Sequence, residues 1–239
     1  MFTFSVECVQ AKNQYTKGRL LKLNQKNQKK CRIAICLLIS FVLWTVLIRL
    51  VDVQAIGPNG SAVGFAAINR YFHQLTGVHM ALYTLTDWLS LIPACFVLGF
   101  GLLGFAQLIK RKSLLKVDFD ILVLGGFYIV VLAVYVLFEV FVVNYRPVLI
   151  EGVLEASYPS STTVLVMCVM LTAILQLRSR IKNEAVRRCA VIAMAAFAAF
   201  MVIGRLVSGV HWLTDIVGGA LLSAGLVMLY DSISSMKGK

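Results

Sequence analysis

The 239-residue sequence is poor in charged residues and in histidine. Charged residues make up 14% of the chain, whereas soluble domains contain about 25%. Hydrophobic residues make up 59%, and there are only three histidines. Besides His211 and Asp215, no histidine lies in a pattern with carboxylates that is typical of a metal site. We therefore expect a membrane protein that uses no metal and no other cofactor.

Acidic residues are also scarce, and the cysteines form no recognisable framework. The chain has 11 acidic residues against 23 lysines and arginines, which gives a formal charge of +12. It has no basic stripe with interleaved aromatic residues, so we expect no nucleic-acid partner. The six cysteines include no CxxC pair, which argues against a disulfide framework or a zinc site. Basic loops beside apolar segments are instead typical of a protein that faces anionic lipid.

The apolar residues are gathered in six segments, each close to the ~20 residues that a membrane span requires. We predict spans at residues 33–51, 88–109, 119–143, 160–177, 189–204 and 213–230. The fold class is therefore an all-α, polytopic bundle of about six transmembrane helices. Its predicted parts are a basic cytoplasmic segment 1–32, a membrane domain 33–230 and a short cytoplasmic tail 231–239. Two short interfacial helices are expected in the first long loop, at 64–71 and 80–88.

Loop charges predict the orientation of the bundle. The basic clusters lie before the first span, between spans two and three, and between spans four and five. By the positive-inside rule, both termini are cytoplasmic, and the loops near 52–88, 144–159 and 205–212 face outward. We expect a multi-pass protein of the plasma (cytoplasmic) membrane. The oligomeric state does not follow from the sequence.

Five polar residues from distant parts of the chain are predicted at the outer ends of these spans: Arg146, Ser160, Arg205, His211 and Asp215. Polar groups at one membrane depth are costly unless they line a site. His211 and Asp215 are four residues apart, so on a helix the carboxylate can orient the imidazole and leave its other nitrogen free to attack.

The remaining residues of this set suit a phosphate. Arginine presents a planar, permanently charged fork to phosphoryl oxygens. Pro159 and Ser160 open span four, where unpaired backbone N–H groups bind anions. The chemistry that fits is phosphoryl transfer through a phosphohistidine intermediate, followed by attack of water.

The pattern resembles the type 2 phosphatidic acid phosphatase (PAP2) family of integral membrane lipid phosphatases. The family motifs are K-x6-R-P, P-S-G-H and S-R-x5-H-x3-D. Arg146-Pro147 matches the end of the first motif, and Pro159-Ser160 matches the start of the second. The third motif is matched by Arg205, His211 and Asp215, with Gly204 in place of its serine.

The resemblance implies a PAP2/haloperoxidase-like helical core and a lipid phosphate substrate. It implies that Arg146, Ser160 and Arg205 bind phosphate, that His211 is the nucleophile, and that Asp215 orients His211. Two motif positions differ from the family pattern and inherit no role. Glu139 replaces the lysine of the first motif, and Thr162 replaces the histidine of the second.

These two substitutions leave several alternatives open. General acid–base assistance contributes roughly 10²–10⁴-fold, so loss of the motif histidine favours a diphosphate substrate, a substitute acid or weaker catalysis. His73 and His79 are candidate substitutes, and Glu139 is a candidate ion-pair partner of Arg146 or Arg205. The alternatives to a phosphatase are a PAP2-like protein that binds lipid phosphate without turnover and a small transporter.

Overall fold

The computed structural model describes residues 3–236, with side chains described from residue 25 onward. Residues 1–2 and 237–239, at the ends of the two predicted cytoplasmic segments, lie outside the described residues. The described part contains eight α-helices: α1 (Thr3–Leu50), α2 (Ala66–Thr76), α3 (Met80–Leu89), α4 (Leu91–Arg111), α5 (Phe119–Val140), α6 (Ser161–Arg180), α7 (Glu184–Val207) and α8 (Leu213–Ser234). Within it, β-structure is limited to isolated bridges. The predicted all-α fold class is confirmed.

Six helical stretches among the described residues are long and apolar enough to cross a membrane: Gln25–Leu50, Met80–Arg111, Phe119–Val140, Ser161–Arg180, Glu184–Val207 and Leu213–Ser234. Their number agrees with the prediction. The second stretch begins earlier than predicted, because α3 continues into α4 through Ser90, whose backbone is also helical. The segment 80–88 is therefore the first part of the second span, and its prediction as a separate interfacial helix is wrong.

The third span ends earlier than predicted. Helix α5 stops at Val140 because the backbone of Phe141 leaves the helical region, with φ −102° and ψ 76°. Arg146 and Pro147 consequently lie in the loop beyond the helix. Pro147 therefore does not end the span, and Glu139 and Arg146 share no helix face.

Helices α6 and α8 form the centre of the bundle. In their most apolar stretches, 61% of α6 and 56% of α8 is buried, against 17% for the first span. Two glycines of α8 allow close packing: a Cβ at Gly218 would lie 2.4 Å from the ring of Tyr158, and one at Gly225 would lie 2.8 Å from Leu38 of α1. Helix α1 runs antiparallel to α8, because Trp44 donates to Thr214 O and Lys30 pairs with Asp231.

The two ends of the bundle have different chemistry. We call the end that carries the loops 112–118 and 181–183 the basic end, and the end that carries the loops 141–160 and 208–212 the site end. At the basic end, Arg180 of α6 pairs with Asp118 and Asp120. The site end holds the five residues that the sequence predicts to converge.

Candidate active site

The loop 141–160 folds back on itself and brings three site residues side by side. The backbone N–H of Arg146 donates to Glu155 O at 3.1 Å, and that of Ser157 donates to Asn144 O at 2.9 Å. The chain reverses near Gly152, whose φ of +80° is a conformation that glycine adopts without strain. Asn144, Arg146 and Ser157 thereby enter the site from one irregular hairpin.

Ser157 lies between His211 and Asp215. The Ser157 Oγ is 2.5 Å from Asp215 Oδ2 and 3.0 Å from His211 Nδ1. The direct separation of His211 Nδ1 and Asp215 Oδ2 is 3.9 Å, which is too long for a hydrogen bond. The direct contact expected from the spacing is thus replaced by a contact through the serine. His211 itself precedes α8, while Asp215 lies in the first turn of that helix.

This arrangement defines the tautomer of His211. The hydroxyl of Ser157 donates to the Asp215 carboxylate, so its oxygen accepts a hydrogen bond from Nδ1–H of the imidazole. The proton then resides on Nδ1, and Nε2 carries a lone pair. Nε2 is buried and has no hydrogen-bond partner. A buried polar atom without a partner is costly, and it therefore indicates a ligand position.

Asp215 is held rigidly by its neighbours. Besides the bond from Ser157, its carboxylate accepts from Asn144 Nδ2 at 3.2 Å and from the backbone N–H of Trp212 at 2.9 Å. The second contact is made by an acidic side chain in the first helical turn, where the helix dipole also favours a negative charge. Asp215 therefore has a fixed orientation before any ligand binds.

Two arginines surround the histidine with positive charge. Burial, and the charges of Arg146 and Arg205, hold the pKa of His211 well below its usual value. His211 is consequently neutral near pH 7. A neutral imidazole with a free Nε2 is the form that can act as a nucleophile.

The guanidinium groups of both arginines are only partly satisfied by the protein. Nη1 of Arg146 and both Nε and Nη1 of Arg205 are buried and lack hydrogen-bond partners. Nε of Arg146 lies 3.0 Å from the Glu155 carboxylate, within ion-pair distance, but this contact lacks hydrogen-bond geometry. Arginine N–H groups left in this way can donate to an anion, and phosphate oxygens suit them well.

The partners of the two arginines differ from those that the sequence suggests. Arg146 pairs with Glu155, and Nη2 of Arg205 pairs with Asp87 Oδ1 at 2.9 Å. The same Nη2 donates to the hydroxyl of Thr162 at 2.5 Å. Glu139, the suggested partner, forms neither of these two ion pairs.

Ser160 caps the N-terminus of α6. Its Oγ accepts from Thr163 Oγ1 at 3.1 Å and, at a long 3.5 Å, from the Thr163 backbone N–H. Its backbone N–H donates to Asp215 O, which joins the start of α6 to the start of α8. Since both side-chain contacts use the serine oxygen as acceptor, the Ser160 O–H remains available to donate.

An apolar cavity of about 580 Å³ borders the site at Ser157 and Thr162, although His211 and the two arginines do not line it. It lies between α4, α5 and α6, and its lining runs from Ser157, Thr162 and Asp87 to Val169 near the middle of α6. Glu139 also borders the cavity. A cavity with a polar mouth and apolar walls can hold a molecule that has a polar head and an apolar tail.

The two candidate substitute histidines have local contacts. The ring of His73 lies 5.5 Å from that of Trp212, and burial lowers its pKa. Nε2 of His79 lies 2.8 Å from the carbonyl oxygen of Thr76. Among the described residues, no group of three or more histidine, cysteine or acidic side chains could hold a metal ion.

Sequence reasoning missed several residues of this site: Tyr83, Asp87, Asn144, Glu155 and Ser157. Ser157 and Asn144 lie in an irregular loop, where no periodic pattern indicates which side chains point inward. Asp87 lay outside the predicted span 88–109, and only the continuation of α3 into α4 places this acidic residue inside an apolar span, where a charge is costly unless it is used.

The comparisons with known proteins concern the family and the fold. The model of the PAP2 superfamily matches residues 92–238. The fold is similar to that of a solved structure titled the first transmembrane PAP2 type phosphatidylglycerolphosphate phosphatase from Bacillus subtilis, with a TM-score of 0.56 and 17% identity over 84% of this chain and 94% of that one. No curated protein matches the sequence. The chain therefore belongs to the PAP2 superfamily, as its motifs predicted, and is a multi-pass integral membrane protein.

Proposed function

We propose that this protein hydrolyses an isoprenoid or glycerolipid phosphate or diphosphate through a phosphohistidine intermediate. The observation that carries the proposal is the combination at the site end of a buried, unpartnered Nε2 on His211 with unpartnered N–H groups on Arg146 and Arg205. The fixed tautomer makes Nε2 of His211 a nucleophile. The N–H groups of the two arginines supply donors for the three equatorial oxygens of a phosphoryl group in transfer.

In the proposed first step, Nε2 of His211 attacks phosphorus, and the bond from phosphorus to the leaving oxygen breaks. The leaving group takes the electron pair and acquires a proton from solvent. The imidazole becomes positively charged, and Asp215 stabilises that charge through Ser157. Arg146, Arg205 and the hydroxyl of Ser160 bind the phosphoryl oxygens.

In the second step, water attacks the phosphorus of the phosphohistidine and the P–N bond breaks. The electron pair returns to Nε2, one proton of the water passes to solvent, and inorganic phosphate leaves. The same donors serve both steps, because the phosphoryl group stays in place while its axial partners exchange.

The apolar cavity supports a lipid substrate. A phosphoryl group at His211 would place an attached chain at the cavity mouth near Ser157 and Thr162, and the walls down to Val169 are largely apolar. The similar solved structure is named for phosphatidylglycerolphosphate, which is also a lipid phosphate. The lost motif histidine favours a diphosphate, since phosphate is a better leaving group than an alkoxide.

We place the site end at the outer face of the plasma membrane. The proposal is supported by the concentration of lysine and arginine in the loops of the basic end. A cysteine introduced at Asn59 should react with an impermeant thiol reagent on intact cells, and one introduced at Lys182 should not. The reverse labelling pattern would place the site in the cytoplasm.

The proposed activity is tested by phosphate release from a panel of lipid mono- and diphosphates in detergent. The wild-type protein should release phosphate from at least one of them, and His211→Ala should release none while it keeps its elution volume and unfolding temperature. Equal release by both proteins would contradict the nucleophilic role.

A second candidate is a protein that binds lipid phosphate without turnover. The observation that favours it is the replacement of two motif residues by Glu139 and Thr162. In that case the same panel gives no release, while lipid phosphate still protects the protein against unfolding in a manner that requires Arg146 and Arg205.

A further inference from the structure

Helix α3 contributes a tyrosine and an aspartate to the site, although neither belongs to a family motif. Tyr83 and Asp87 are four residues apart and so lie on the same face of α3. The guanidinium carbon of Arg205 lies 4.8 Å from the centre of the Tyr83 ring, and that of Arg146 lies 5.8 Å from it. One aromatic ring thus contacts both arginines.

Arg205 is held at a single nitrogen. Its Nη2 donates to Asp87 Oδ1 on one side and to Thr162 Oγ1 on the other. Its Nε and Nη1 have no partner. Arg205 is therefore held through Nη2, and its Nε and Nη1 can donate to a ligand.

Asp87 and the arginine that it pairs with differ in their exposure. The side chain of Asp87 is 59% exposed, whereas that of Arg205 is 2% exposed. The exposed carboxylate of Asp87 thus contacts a cation that is itself buried. The ring of Tyr83 presents its electron-rich face to both guanidinium groups, and this offsets their mutual repulsion.

We propose that Asp87 and Tyr83 are positioning residues for the phosphate-binding arginines. Asp87, together with Thr162, fixes the orientation of Arg205, and the ring of Tyr83 sets the spacing between Arg205 and Arg146. The two arginines then present their remaining N–H groups to the same phosphoryl group. The inference rests on the proposed function of the site and adds α3 to it.

If Asp87 instead competed with phosphate for Arg205, its replacement would have the opposite effect on anion binding. A carboxylate that merely occupied Arg205 would compete with phosphate, so its removal would strengthen anion binding. A positioning carboxylate has the reverse effect, because Arg205 without its anchor must be ordered by the ligand itself.

The test uses the purified full-length protein and orthovanadate, an anion that resembles the phosphoryl group in transfer. Asp87→Asn removes the charge that holds Arg205 and should weaken inhibition by orthovanadate about tenfold, since hydrogen bonds to charged groups are stronger than those to neutral ones. KM for the lipid substrate should rise by a similar factor, with a smaller change in kcat. Asp87→Glu should recover much of the loss.

The tyrosine is tested in the same assay. Tyr83→Leu removes the aromatic face and should weaken inhibition by orthovanadate severalfold, whereas Tyr83→Phe keeps that face and should retain the inhibition. Asp120→Asn is the matched control, because it breaks an Asp–Arg pair at the basic end and should leave orthovanadate inhibition unchanged.

The outcomes separate the inference from the proposed function. Unchanged or stronger inhibition of Asp87→Asn, with an active wild-type protein, would overturn the inference alone. A wild-type protein that neither hydrolyses lipid phosphates nor binds orthovanadate would overturn the proposed function and the inference with it. Equal loss of unfolding temperature and of inhibition in Asp87→Asn and Asp120→Asn would reduce Asp87 to a structural role and contradict the inference.

Discussion

Arg180 at the basic end and Arg205 at the site end both lie near the C-terminus of a long helix. They differ in how many of their guanidinium nitrogens have a protein partner. All three guanidinium nitrogens of Arg180 have a protein partner: Nε donates to Gln176, Nη2 donates to Asp120, and Nη1 lies 3.6 Å from Asp118. Arg205 has partners at Nη2 only, although it is far more buried.

The difference separates an arginine that supports the fold from one that is available to a ligand. A buried arginine whose N–H groups lack partners lowers the free energy of unfolding, so stability of the fold does not explain its presence. At the basic end, acidic residues from a neighbouring loop and helix satisfy the cation. At the site end, the proposed function assigns the missing acceptors to the oxygens of a phosphoryl group.

The largest expected loss of kcat comes from replacing the aspartate at the site end, and the control is the same replacement of an aspartate at the basic end. Asp215→Asn should reduce kcat by on the order of 10³–10⁴-fold, because the amide no longer fixes Ser157 and the Nδ1–H tautomer of His211. Asp120→Asn should keep near wild-type kcat. Measured turnover with a lipid diphosphate decides between them, and an active Asp215→Asn protein would contradict the role of the buried carboxylate.

The next effect compares the two arginines directly. Arg205→Ala should reduce kcat/KM by about 10²–10³-fold, the usual cost of removing a donor that stabilises transition-state charge. Arg180→Ala should lower the unfolding temperature while the folded protein retains its turnover number. If both variants lost activity in proportion to their stability, the distinction between the two ends would fail.

A pH profile sharpens the electrostatic part of the comparison. Burial and the two arginines lower the pKa of His211, so the neutral nucleophile persists as the pH falls through about 6.5, the usual histidine value. Removing a positive charge raises that pKa. The acid limb of kcat/KM should therefore move to higher pH in Arg146→Gln, and a limb that stays in place would contradict the coupling.

The smallest effect concerns Thr162, which lies in a central helix and contacts Arg205. Thr162→Ser keeps the hydroxyl and should change kcat/KM less than about twofold, within the range of conservative hydrogen-bond exchanges. Because neither hydroxyl is an acid near neutral pH, both proteins should cleave lipid diphosphates faster than monophosphates with the same tail. Equal rates on both substrates would indicate a separate proton donor, and His73→Ala and His79→Ala would identify it.

The sequence was sufficient for the bundle and for the convergence of the motif residues. The lengths of the six apolar segments predict the spans, because a bilayer requires helices of nearly fixed length. The intervals from Arg205 through His211 to Asp215 are short, so local geometry keeps those residues close. Their family was predicted on the same residues.

The contacts between those residues could not be predicted. Ser157 reaches the site because the loop 141–160 folds back on itself, and nothing in the periodicity of an irregular loop indicates that turn. The pairing of Arg205 with Asp87 joins residues 118 positions apart, which depends on how α3 packs against α7. Glu139 lies at the end of α5, which stops at Val140, so it shares no helix with Arg146.

The most direct test of the account is to trap the phosphorylated protein. The wild-type protein is mixed with a lipid diphosphate labelled in its terminal phosphate, quenched in alkali and digested for mass spectrometry, with His211→Ala and Arg180→Ala treated in parallel. We predict one phosphoryl group on the peptide that contains His211 in the wild-type and Arg180→Ala proteins, and none in His211→Ala. Continued phosphate release by His211→Ala, without a phosphorylated peptide in any protein, would contradict the phosphohistidine mechanism.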